Sequence, residues 1–190
     1  MGTETDTWKA AAVGFPIVTL LISALFALAY LISSLLGLPS TINLPFGARA
    51  VGGACVLVGL AMMGWLFRHR NPAVVIVSTY VTLMKLFRRA SLEERAARTE
   101  PLIVDGPQEF VRNPLYLGVI VMVLGWAMLS TSTFVFVATA VMLIWFGLVL
   151  IPFEERELSV LFGEEWKRYS EETPMLFPFT KTKKRTRRQS

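Results

Sequence analysis

Long apolar runs alternate with short charged ones along this chain, and the alternation predicts the elements. Met1–Lys9 is short and polar, and Ala10–Gly37 then runs on without a charged residue. A bilayer-spanning helix needs roughly 20 apolar residues, so a first span is expected here, ended by Gly37–Pro39. After the tight connection Ser40–Phe46, Ala48–Phe67 reads as a second span. Its Gly52, Gly53, Gly59 and Gly64, with Ala54 and Ala61, offer a small-residue face for close helix packing. Arg68, His69 and Arg70 close it with positive charge.

Asn71–Phe87 is apolar but short. Asn71–Pro72 predicts a capped helix start, and Lys85, Arg88 and Arg89 follow its apolar part. A full crossing would put this cluster opposite Arg68–Arg70, against the positive-inside tendency; an interfacial or re-entrant segment suits both clusters. Ser91–Arg98 reads as a polar connector helix. Leu115–Leu129 and Phe134–Ile151 are the last two spans, joined by Ser130–Thr133, with no charge between Leu115 and Ile151.

The pattern therefore predicts an all-α integral membrane protein of about four transmembrane helices plus the interfacial or re-entrant segment. Lys and Arg at 68–70, 85–98, 112 and 167–188 then fall on one side, and both termini face the cytoplasm. Residues 1–99 form an N-terminal helix pair with its connector, 100–180 a region built on the last hairpin, and 181–190 a basic tail.

Composition sharpens this. Of 190 residues, 54% are hydrophobic and 17% charged, against about 25% charged in a soluble domain. The net charge of +5 is concentrated in Lys181–Arg188, which suits an anchor on anionic headgroups better than nucleic-acid binding. One cysteine, Cys55, and one histidine, His69, leave little material for disulfides, a metal centre or histidine catalysis. The acidic start lacks the pattern of a cleavable signal.

Two charged motifs flank the last hairpin: Gly106–Gly118 (GPQEFVRNPLYLG) and Phe153–Tyr169 (FEERELSVLFGEEWKRY). Two adjoining spans return them to the same membrane face. Arg112-Asn113-Pro114 could simply start a helix, and Tyr116 could be an interfacial aromatic. Glu154, Glu155 and Glu157 crowd one helix end and need cations. Arg156, Lys167, Arg112 or an amino group on a ligand could supply them.

Gly106-Pro107 followed by Val111–Gly118 resembles the first signature of the isoprenylcysteine carboxyl methyltransferase and phospholipid methyltransferase superfamily. Glu154-Glu155, Leu158, Phe162-Gly163, Glu165-Trp166, Tyr169, Pro174 and Pro178 resemble the second. The resemblance covers about residues 100–180. It implies a membrane methyltransferase that uses S-adenosylmethionine in a pocket at the cytoplasmic membrane face. By position it implies that Glu100, Leu102, Ile103, Gln108, Asn113, Pro114, Leu115, Tyr116, Glu154 and Glu155 bind the cofactor. It gives Arg112 and Tyr116 catalytic roles, and no metal.

Three positions depart from the family pattern. Gln108 replaces a tyrosine, Asn113 replaces the histidine of the commoner form, and Leu150 replaces the arginine of prenylcysteine-methylating members. The last favours a lipid amine over a prenylcysteine carboxylate, and a small thiol is a third acceptor. A lipophilic acceptor would enter sideways from the bilayer and meet the cofactor at the interface, among membrane lipids. The alternatives are a nicotinamide-dependent reductase of the sterol-reductase type and a non-catalytic scaffold of the same fold.

Overall fold

The computed structural model describes residues 4–87 and 102–177. The connector Ser91–Arg98, Glu100, Pro178 and the basic run Lys181–Arg188 lie outside the described residues. Within them the elements are α1 (Glu4–Leu35), α2 (Phe46–His69), α3 (Pro72–Phe87), a 3-10 turn (Gly106–Glu109), α4 (Pro114–Ser130), α5 (Thr133–Trp145), a π turn (Phe146–Leu150) and α6 (Ile151–Glu172). The described residues hold no strand, only an isolated bridge between Thr41 and Ser132.

Among the described residues, three helical stretches are long and apolar enough to cross a membrane: Ala12–Leu35, Phe46–His69 and the continuous run Thr133–Glu172. α3 and α4 are shorter apolar helices. Large side chains such as Leu57 and Leu148, 70% and 74% exposed, cover the outer faces. In lipid such a surface is ordinary, because hydrocarbon neighbours leave no apolar area in water.

The predicted stop of α1 is present: Leu38 N–H reaches back to Ser33 O at 3.0 Å, and Gly37 N–H to Ser34 O at 3.1 Å, the paired bonds of a common helix ending. At that end the two connecting loops meet. Ile42 N–H donates to Thr131 O at 2.8 Å and Thr133 N–H to Ser40 O at 3.1 Å. The turn of the last hairpin is thus tied to the α1–α2 loop, and both charged motifs return to the opposite end, as the sequence predicts. Arg49, in the first turn of α2, departs from the expected one-sided distribution. It lies at the loop end, away from Arg68 and Arg70.

Among the described elements, α2 and α4 form the largest helix–helix interface. Glycines explain the close approach. A Cβ on Gly52 would stand 2.9 Å from Gly125 O, and one on Gly59 2.7 Å from Gly118 O. The two seven-residue spacings match in antiparallel register, so the backbones meet where side chains are missing. Gly64 has open space around it and Gly53 only an ordinary contact; the small face expected from sequence narrows to two of its glycines.

α3 is a helix from Pro72 to Phe87 that packs on α1, with Ala73, Val75, Thr82 and Leu83 buried. Asn71 Oδ1 accepts the Ala73 N–H at 2.9 Å, the predicted cap. The last span does not end before the acidic motif. The π turn joins α5 to α6 without a break, and Ile151 N–H bonds to Phe146 O. Pro152 accounts for it: proline lacks the N–H that α-helical geometry requires, and its ring crowds the carbonyl four residues back. A wider turn absorbs both.

Candidate functional site

Polar side chains converge where the ends of α2 and α3 meet the starts of α4 and α6. The approach to α4 sets the geometry. Gly106 has φ +65°, and a Cβ there would lie 3.1 Å from the His69 ring; the turn needs glycine for both reasons. Tyr169 on α6 donates to Gln108 O at 2.8 Å, fixing the 3-10 turn against the far helix. The segment after α6 adds a strap: Arg112 N–H donates to Pro174 O at 2.9 Å and Asn113 N–H to Met175 O at 3.2 Å. Leu176 is buried in the core beside Val111, Tyr116, Leu150 and Ile151.

The Asn113 side chain does not cap α4. Its amide donates to Glu155 Oε1 at 3.4 Å and to Met175 O at 3.3 Å. A carboxylate and a carbonyl supply the acceptors an amide NH2 needs.

Glu154, Glu155 and Glu157 of α6 each have a separate partner. Tyr116 Oη donates to Glu154 Oε2 at 2.9 Å. Arg112 Nη2 lies 3.2 Å from Glu155 Oε1, and its guanidinium sits 5.6 Å from the centre of the Trp166 ring. Glu157, 1% exposed, accepts from Lys85 Nζ at 2.8 Å. Of the cations the sequence offered, Arg112 is thus the one on the carboxylate cluster. Lys85, a cation the sequence pattern does not link to the cluster, holds Glu157. Lys167 instead lies 3.5 Å from Glu164.

Between these groups runs a cleft of about 870 Å3, counting its open mouth. Leu102, Ile103, Gln108, Asn113, Pro114, Leu115 and Tyr116 line it from the α4 side, with Arg112 and Glu154. Most residues expected from sequence are therefore brought together. Glu155 is set back from the cleft on Arg112, and Glu100 lies outside the described residues. Leu158, Phe162, Trp166 and Tyr169 continue the α6 wall. Gly163, at φ 48° and ψ −119°, breaks helical geometry between Phe162 and Trp166, a conformation glycine tolerates best.

The opposite wall, Leu66, Arg70, Val75, Ser78 and Thr79, was not anticipated. Its signal is faint: Ser78-Thr79 is a polar pair in an otherwise apolar run.

Two buried polar atoms on this site have no hydrogen-bond partner among the described residues, Gln108 Oε1 and Arg112 Nε. Gln108 is 6% exposed and lines the cleft. A buried acceptor without a donor is costly, so a ligand with N–H or O–H groups suits it. The described residues hold no group of His, Cys, Asp and Glu that could bind a metal ion.

Residues 96–165 match the family model of phospholipid methyltransferases. Over 132 residues the chain is 29% identical to a methanethiol S-methyltransferase of Crocosphaera subtropica, covering 67% of this chain and 48% of that protein. Methanethiol S-methyltransferase 1 of Bradyrhizobium diazoefficiens is 35% identical over 74 residues, 39% of this chain and 25% of that protein. A methanethiol S-methyltransferase of Pseudomonas deceptionensis is 26% identical over 133 residues, 66% of this chain and 46% of that protein. The chain thus spans about half or less of the length of the curated relatives it matches. No solved structure matches it. The segment matched by the family model holds the first charged motif and most of the second, and over it the chain resembles the isoprenylcysteine carboxyl and phospholipid methyltransferase superfamily.

Proposed function

We propose that the cleft binds S-adenosylmethionine and that the chain transfers its methyl group to a lipophilic acceptor at the membrane face. The observation that carries this reading is Glu154, a cleft carboxylate held in place by the Tyr116 hydroxyl. A fixed carboxylate suits the cofactor's ammonium group through a charge-assisted hydrogen bond. Gln108 Oε1 suits an amino or hydroxyl donor, and Leu102, Ile103 and Leu115 give apolar surface for a flat base. The start of α4 favours a carboxylate near Asn113 and Pro114.

The cofactor supplies an electrophilic methyl carbon; the protein aligns the acceptor and excludes water. Tyr116 sets the Glu154 carboxylate, and Arg112 acts as a positioning residue by holding Glu155 and Trp166. No side chain here needs to be a strong base for an amine or thiol acceptor.

Leu150 is 3% exposed in the core, so that position offers no cation for a carboxylate acceptor. This supports a lipid amine. A small thiol is the second reading, favoured by what the relatives are named for. Tritiated S-adenosylmethionine given to the purified chain with aminophospholipid vesicles or with methanethiol separates them. Label in the lipid fraction is the expected result. Label only in volatile sulfide selects the thiol, and label in neither overturns the reading.

A further inference from the structure

The wall that the sequence did not disclose is also the one tied down by charge. On α3, Val75, Ser78, Thr82 and Lys85 follow one another at spacings of three, four and three, so they share a helix face. Val75 and Ser78 line the cleft, Thr82 is 1% exposed, and Lys85 ends the series on Glu157. On α6 the arrangement mirrors this. Glu154 and Leu158, one turn apart, line the cleft, and Glu157 projects beside them to Lys85. The ion pair therefore sits where the α3 and α6 walls converge.

We infer that Lys85 and Glu157 are positioning residues: their ion pair sets the width of the cleft and the rotation of the α6 turn that presents Glu154. The inference rests on the reading of the cleft as an S-adenosylmethionine site. Its physical basis is that a carboxylate 1% exposed is held at fixed distance by its cation; it cannot drift into water without leaving the protein interior. An aliphatic pair of similar volume fills the space but leaves rotation and spacing free.

The test is calorimetric titration with S-adenosylmethionine of wild type, Lys85→Arg, Lys85→Met and the double variant Lys85→Met/Glu157→Leu, with the melting temperature of each recorded. Lys85→Met is expected to weaken affinity about tenfold, since small misplacement of a binding group is costly. Lys85→Arg should bind as wild type does. The double variant should regain the melting temperature, because an aliphatic pair relieves the buried charge, yet keep the weakened affinity. Recovery of affinity together with stability would make the pair merely structural and overturn the inference, as would wild-type affinity in Lys85→Met. If Lys85→Met does not fold, the double variant alone decides. Absence of binding in every arm, wild type included, removes the cofactor reading itself and this inference with it.

Discussion

Gly59→Leu is expected to abolish accumulation of folded protein, and Gly59→Ala to lower its melting temperature measurably. A Cβ at Gly59 would stand 2.7 Å from Gly118 O, 2.8 Å from Met122 Cβ and 2.9 Å from Met122 N. Two of these are backbone atoms of α4, so no rotamer change relieves the clash. The helices must separate, and overpacking of this kind costs about 1–3 kcal/mol even for added methylenes. Separation also forfeits the close van der Waals contact that holds helices together in lipid. Gly64, in the same helix with open space around it, is the control. Gly64→Leu should accumulate and melt as wild type does, measured by circular dichroism in detergent.

The second large effect is expected at Glu154. Glu154→Gln keeps the shape and an acceptor for the Tyr116 hydroxyl, so the local hydrogen bond at 2.9 Å has a substitute. What it removes is the charge. Hydrogen bonds to charged groups contribute about 1.5–3 kcal/mol, so affinity for S-adenosylmethionine should fall roughly 10- to 100-fold while the melting temperature stays near that of wild type. Tyr116→Phe should have a smaller effect in the same direction, because the carboxylate keeps its charge and loses its orientation. If Glu154→Gln binds as tightly as wild type, the ammonium partner lies elsewhere on the cleft.

The apolar runs made the bundle legible, because a span needs only length and the absence of charge. The hairpin followed from the uncharged stretch Leu115–Ile151, and the return of both motifs to one end followed from the hairpin. Gly52 and Gly59 were visible as small residues, but their partners Gly118 and Gly125 were not. Pairing depends on antiparallel register, and a glycine in an apolar run does not announce which helix it meets. α3 was hardest. Its face toward α6 is marked by Ser78, Thr82 and Lys85 in a run that otherwise reads as lipid-facing, and its role appears only once Glu157 lies 2.8 Å from Lys85. Asn113 illustrates a local rule overridden by tertiary context: the capping position is occupied, but its amide is drawn to Glu155 and Met175. The π turn could have been suspected from Pro152, since a proline continuing a helix must disturb the turn before it.

The most direct test of the cofactor site is a calorimetric titration of the detergent-purified wild-type chain with S-adenosylmethionine, its helical content checked beforehand. Saturable binding at one site per chain is the predicted result. A well-folded chain that shows no saturable binding would contradict the account.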